Sequence, residues 1–169
     1  IGDGNDLLKA LLEAKPDKQC LVTVVDPQAV KDAQAAGEGN MVKTSVGWRL
    51  DNRWGEPVEI EGKVILIKQG DYFTSVDHFP GTMGMSALIQ IDQIYLIVCE
   101  CTFQHLDPGT YRCMNLEPAD AHIVGVKSTE HFRAYYGELA NDILMADTKG
   151  SSMSDFAEFK WEKKGHPIW

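Results

Sequence analysis

The sequence lacks the apolar runs and leader patterns that mark membrane and secreted proteins. No stretch of its 169 residues approaches the roughly 20 continuous apolar residues that a membrane-spanning helix needs. The first six residues carry neither a basic region nor an apolar run, so we expect no signal peptide here. The absence of an initiator Met at Ile1 predicts a cut or processed end. We therefore expect a cytoplasmic protein without membrane contact.

Basic residues are scarce as well. The chain has 16 Lys and Arg against 25 Asp and Glu, which gives a formal net charge of −9. Because nucleic-acid affinity comes largely from Lys and Arg contacts with phosphates, this balance argues against a nucleic-acid partner. The notable basic cluster is interspersed with glutamates and is typical of a solvated face: Lys160, Lys163 and Lys164 beside Glu158 and Glu162.

Motifs for metal binding and nucleophilic catalysis are missing too. There is no CxxC pair, no GxSxG elbow, and no two histidines at the i, i+4 or HxH spacing that presents two imidazoles to one metal. We expect no catalytic residue and no metal site in this chain. A site assembled from distant histidines is the open alternative. The cysteines are expected to be free and buried, with the second and third on one strand face: Cys20, Cys99, Cys101 and Cys113.

What the sequence does contain is the pattern of a single α/β domain over residues 1–169. The first third predicts a helix over 6–14, a strand over 20–25 and a second helix over 27–36. Asp26 is the expected N-cap of the second helix, with Pro27 at its first position and Gly37 after its end. The middle third predicts an antiparallel meander broken at Asp51-Asn52, Gly55, Gly70-Asp71, Pro80-Gly81 and Gly84. Its strands are expected at 41–46, 58–68, 72–76, 86–91 and 93–98.

The final third returns to an α/β pattern. It predicts a buried strand over 123–127, a helix over 130–140, a short strand over 143–146 and an aromatic tail over 156–169. The expected fold class is therefore α/β of the mixed α+β type. The N- and C-terminal thirds form an α/β layer, and the central third forms the meander.

Two segments carry polar residues where α/β proteins bind ligands. Lys127, Ser128, His131 and Arg133 lie where a predicted strand runs into a helix, although the same residues can serve as helix cap and surface groups. The turn containing Asp3 and Gly4 precedes the first helix and can present N–H groups to an anion, but a capping turn explains it more simply.

Several segments together resemble the C-terminal domain of the MlrC (microcystinase C-like) family. GDGNDLLKALLEA resembles that family's PGDGT turn and Leu-rich helix, and DPQAVKDAQAAGEG resembles its DPEAV…A…AG segment. VKSTEHFRAYYGELANDILMADTKG resembles its VKSxxHFRAxFxxIAxxxxxxDTPG block, and GHPIW resembles RPIWP. The matches occur in order along the chain.

The resemblance implies one lobe of a metal-dependent peptidase or amidohydrolase. In the family, a preceding N-terminal domain carries the zinc ligands and the catalytic Glu, so zinc and that domain are the implied cofactor and partner. This lobe would shape the substrate cleft and be inactive alone. The substrate-facing candidates implied are Asp3, Gly4, Lys127, Ser128, His131 and Arg133, with Phe132 in the same motif.

The sequence also departs from the family pattern. In the stretch 98–107, Gln104 and Asp107 are kept, but the family's Arg is Thr102, which removes a cationic anchor for a carboxylate. Two alternatives stay open. The chain is either a non-catalytic binding or homo-oligomerisation module, or a self-sufficient hydrolase that uses Ser128 or His131.

Overall fold

In the computed structural model, which describes residues 3–50 and 52–150, the chain folds around a six-stranded mixed sheet. The strands are β1 (Cys20–Val25), β2 (Met41–Val46), β3 (Val58–Phe73), β4 (Pro80–Ile91), β5 (Ile94–Cys99) and β6 (Ile123–Val124). The helices are α1 (Asp6–Ala14), α2 (Pro27–Ala36), α3 (Gly109–Arg112) and α4 (Arg133–Tyr136), with a 3-10 turn at Pro118–Asp120. No helix of the described ranges is long and apolar enough to cross a membrane.

The first third folds as its local pattern predicts. Leu8 and Leu11 are the buried face of α1, and β1 is buried along its whole length. The Asp26 side chain caps α2, Pro27 occupies its first position, and Gly37 follows its end with φ at +78°. These boundaries follow from caps and periodicity, which are properties of neighbouring residues.

The strand order is β2-β3-β4-β5-β1-β6. The meander β2 to β5 is antiparallel throughout, whereas β1 is parallel to both β5 and β6. The mixed α/β class and the central meander are thus confirmed. Helices α1 and α2 contribute to the core on one face of the sheet, and α3 and α4 contribute to the core on the other.

Two predicted breaks in the meander are wrong. Strand β3 runs through Gly70-Asp71, where a register shift between Gln69 and Asp71 absorbs the irregularity. A Cβ on Gly70 would lie 2.8 Å from Ser86 Oγ, so this glycine permits close strand approach and does not end the strand. Strand β4 likewise begins at Pro80 and continues through Gly84.

The final third is less regular than predicted. The strand expected over 123–127 pairs only at Ile123–Val124, and the helix expected over 130–140 is reduced to Arg133–Tyr136. The strand expected over 143–146 does not form, and Leu144 is 92% exposed. An apolar run becomes a strand only where a neighbouring strand completes its hydrogen bonds. The aromatic tail predicted over 156–169 lies outside the described residues.

Candidate functional site at the carboxyl edge of the sheet

The carboxyl ends of β1 and β5 form a topological switch point. From β1 the chain passes to α2 on one face of the sheet, whereas from β5 it passes to α3 on the other. Ligands of α/β proteins bind in the crevice that such a divergence opens. The segment after β6 reaches the same edge, so the sheet brings together residues that are far apart in sequence.

Asp26, the residue that follows β1, is fully buried and joins three segments at this edge. One carboxylate oxygen accepts the N–H groups of Gln28 and Ala29, each at 3.0 Å, which caps α2. The other accepts the Gly47 N–H at 2.9 Å and Arg49 Nε at 3.0 Å. The cap was predictable from sequence, whereas the ion pair with Arg49 was not, because it spans 23 residues.

Two of the predicted substrate-facing segments are tied to each other. Lys127 Nζ donates to the carbonyl oxygen of Gly4 at 2.6 Å, across 123 positions of sequence. Asp3 is buried, and its carboxylate accepts the Leu50 N–H at 2.5 Å, while its carbonyl accepts the Trp48 N–H at 3.0 Å. Asp3, Gly4 and Lys127 therefore hold the start of the described chain against the edge. Their substrate-facing role stays a prediction.

Two thiols near this edge, those of Cys99 and Cys113, are poor nucleophiles at neutral pH. Burial raises the pKa of Cys99 to about 12, and burial also raises the pKa of Cys113 to about 11. All four cysteines are free, as expected. The expectation that all are buried is wrong for Cys101, which is exposed, and Cys113 is only half-buried. Because β5 ends at Cys99, Cys101 also does not share a strand face with it.

A buried polar network lies beneath the crevice. The Tyr136 hydroxyl donates to the carbonyl oxygen of Asp107 at 3.2 Å, so it accepts a hydrogen bond from His105 Nε2 at 3.1 Å. His105 Nδ1 then accepts from Thr23 Oγ1 at 3.2 Å. Burial, reinforced by the nearby Lys127 charge, lowers the pKa of His105 to about 3. This histidine is a neutral structural group that links β1 to α4.

Sequence reasoning missed the role of His105. The feature of the sequence that pointed to His105 was its position between Gln104 and Asp107, two residues of the family pattern that this chain keeps. Asp107 is also fully buried, and its carboxylate accepts the Gly109 N–H at 2.6 Å and the Ser75 N–H at 2.7 Å. Asp107 thereby connects the turn between β3 and β4 to the start of α3 by hydrogen bonds.

The predicted candidate His131 lies apart from Lys127, in a shallow open depression. The depression has a volume of about 500 Å³ and is lined by Gln104, Leu106, Glu130, His131, Ala134 and Tyr135. Gln104 Nε2 and His131 Nδ1 are 2.9 Å apart, which orients the imidazole at the exposed surface. Unlike the groups beneath the crevice, His131 is accessible to a ligand.

The remaining candidates have local roles in the structure. Arg133 Nε donates to Glu130 at 3.1 Å, and its guanidinium lies 5.2 Å from the Phe132 ring centroid. Ser128 is half-buried directly after Lys127. Their contribution to substrate binding also stays a prediction.

A resident zinc ion does not fit the described part of the chain. Residues 3–50 and 52–150 contain no group of three or more His, Cys, Asp or Glu side chains that could hold a metal ion. The most buried candidates, His105, Asp26 and Asp107, direct their ring nitrogens or carboxylate oxygens at protein partners. No chemical step is therefore assigned to a metal held by these residues.

The fold and the site define an α/β domain whose polar groups converge on one sheet edge. The chain belongs to the MlrC C-terminal family: the family model described as "MlrC C-terminus" matches residues 1–163. It is 25% identical over 169 residues to Microcystinase C from Sphingomonas sp., covering 99% of this chain and 32% of that protein. The chain thus spans about a third of the length of this relative.

A solved structure has the same fold. It is that of a candidate metallopeptidase from Mesorhizobium sp. BNC1, with a TM-score of 0.80 and 24% sequence identity. The match covers 87% of this chain and 30% of that one. At this identity the likeness shows the shared fold alone.

We expect Lys127 to titrate at an unusually low pH. Burial lowers its pKa to about 8, against the opposing effect of the Asp3 and Asp6 carboxylates. NMR of ¹³Cε-labelled lysine should show one resonance with a midpoint near pH 8, and this resonance should be absent from Lys127→Met. The Lys9→Met control should retain it, because Lys9 is exposed on α1. A Lys127 midpoint near the ordinary value of about 10.4 would contradict the buried position.

Proposed function

We propose that the chain is the C-terminal lobe of a metal-dependent peptidase or amidohydrolase, and that its carboxyl edge forms one wall of the substrate cleft. One observation carries the proposal: the family match extends over residues 1–163, yet the chain spans only 32% of Microcystinase C. In this proposal a preceding lobe binds zinc and performs the chemistry, and this lobe is inactive alone.

The division of roles at the edge supports this proposal. Asp26, Asp107 and His105 are fully buried and hydrogen-bonded to protein groups, so they maintain the shape of the edge. His131 and Gln104 instead line the open depression. Imidazole and carboxamide groups both exchange hydrogen bonds with peptide amides, which suits a wall that orients an amide substrate. We place the protein in the cytoplasm, where its free thiols would stay reduced.

The reading frame of the gene provides the first test. We expect the codons before Ile1 to encode a domain with the Asp and two His that bind zinc. A frame without such a domain would refute the proposal outright.

The second test compares the chain alone with the complete gene product. We expect the complete product to hydrolyse peptide amides with bound zinc, and the chain alone to be inert. In the complete product, His131→Ala should lower kcat/KM about tenfold or more, mostly through KM, since the residue binds substrate without entering the chemistry. The matched control is His122→Ala, because His122 is an exposed histidine just before β6, at the opposite edge of the sheet.

Two results would count against this role. Hydrolysis by the chain alone that His131→Ala abolishes would favour a self-sufficient enzyme. Equal kcat/KM in the His131 and His122 variants would show that the depression at His131 is not part of the substrate cleft.

A further inference from the structure

The hairpin of β3 and β4 projects beyond the carboxyl edge of the sheet. The register aligns Lys68 with Ser86, Ser86 with Cys99, and Cys99 with Val25, the last residue of β1. The five residues 69–73 therefore run past the end of β1. At about 3.3 Å per residue, the hairpin extends roughly 16 Å beyond this edge of the sheet.

The end of this hairpin is held firmly in place. Ser75 donates its N–H to one Asp107 oxygen at 2.7 Å and its hydroxyl to the other at 3.1 Å. The Tyr135 hydroxyl donates to Asp77 at 2.6 Å, which ties the turn to α4. The backbone of the turn is thus fixed by the elements that surround the depression at His131.

Three large apolar side chains nevertheless face solvent on this end. Phe73, Val76 and Phe79, which we define as the hairpin tip, are 66%, 64% and 65% exposed. Several large apolar side chains exposed on one short, ordered segment mark an interaction surface more often than apolar residues scattered singly do. The fixed backbone also lowers the entropy cost of docking.

The exposed apolar area of the hairpin tip indicates which kind of partner covers it. An enclosed aromatic side chain buries about 150–250 Å², so two-thirds exposure of Phe73 and Phe79, together with that of the smaller Val76, leaves on the order of 350 Å². A stable dimer needs about 800 Å² from each partner, which is more than twice this area. Contacts between domains of one chain bury about 600–1,500 Å² in total, or roughly 300–750 Å² per side, because the covalent link supplies a high local concentration.

We propose that the hairpin tip docks onto the preceding lobe of the same polypeptide and thereby closes one side of the substrate cleft. The inference rests on the proposed function, since it requires that lobe. The share of Microcystinase C that this chain leaves unmatched, about two thirds of its length, is long enough to supply the partner surface. The docked hairpin would flank the depression at His131, because Tyr135 lines that depression and binds the turn through Asp77.

Thiol labelling of the complete gene product tests this assignment. Val76→Cys and the control Met41→Cys introduce thiols at positions that are 64% and 59% exposed in this chain. Maleimide labelling is followed by peptide mass spectrometry, so that native Cys101 is resolved separately. We expect position 76 to label at least tenfold more slowly in the complete product than in the chain alone, and position 41 to label equally fast in both.

Each other outcome overturns the assignment. Equal rates at position 76 in the two proteins would leave the tip uncovered. Slow labelling of position 76 in the chain alone would mean that something other than the preceding lobe covers the hairpin tip. If the labelling rate falls as the protein concentration rises, a second copy of the chain covers it. If the rate is independent of concentration, residues 151–169 cover it. Labelling is independent of turnover, so protection at position 76 without hydrolysis would sink the proposed function and leave the docking surface standing. Hydrolysis by the complete product without protection at position 76 would overturn the docking surface and leave the proposed function standing.

Discussion

Replacing Asp26 by alanine should lower the free energy of unfolding by about 3–5 kcal/mol. The substitution leaves the buried Ala29 and Gly47 N–H groups without their acceptor, and each buried donor left unpaired costs about 1–3 kcal/mol. The bonds to Gln28 and Ala29 form the cap of α2, so the typical cap value of about 1 kcal/mol is already part of this cost. Urea unfolding followed by circular dichroism measures the loss.

Two controls separate the contributions of Asp26. Asp17→Ala removes an exposed carboxylate from a turn and should change stability by less than about 0.5 kcal/mol. Arg49→Met removes the ion pair but keeps the cap. Since the Arg49 side chain is one-third exposed, this change should cost about 1 kcal/mol or less. A loss below about 1 kcal/mol for Asp26→Ala would show that the edge does not depend on this carboxylate.

Acidification should destabilise the fold through His105. Burial lowers its pKa to about 3 in the folded protein, against an ordinary value of about 6.5 in the unfolded chain. Between these values the unfolded chain binds the proton and the folded protein does not, so stability is complete above pH 6.5 and falls as the pH drops towards 3. At about 1.4 kcal/mol per pH unit, the loss from this residue at pH 5 is roughly 2 kcal/mol.

Comparison of unfolding at pH 7 and pH 5 isolates this effect. His105→Gln should lower stability at pH 7, because Thr23 and Tyr136 lose their partner, but it should also remove roughly 2 kcal/mol of the pH dependence. His122→Gln changes an exposed histidine and should keep the wild-type pH dependence. If His105→Gln and the wild type lose equal stability on acidification, His105 is not the group that titrates.

The resemblance found in the sequence led to the family, and the comparisons confirm it. The same motifs were a weaker guide to individual roles. His131 and Phe132 of the VKSTEHFRA block lie just before α4. His131 is exposed, whereas Phe132 packs in the core. The Lys of that block instead reaches the Gly4 carbonyl. Adjacent positions in one motif therefore separate into a surface group and two structural groups.

The sequence by itself determined the elements whose signals are local. Helices α1 and α2 and strands β1 and β2 have the predicted bounds, because a cap, a glycine or a change of hydrophobic period acts over a few residues. The acidic composition likewise argues against a nucleic-acid partner, because the shortage of Lys and Arg does not depend on how the chain folds.

Only the tertiary structure decided which distant residues share the carboxyl edge. The Lys127–Gly4 contact spans 123 positions, and the contact of His105 with Thr23 spans 82. Strand β3 continues through Gly70 because β4 lies close beside it, whereas the apolar run at 143–146 stays irregular. Hydrogen bonds between distant segments form only after the sheet order is set, and no short-range pattern encodes that order.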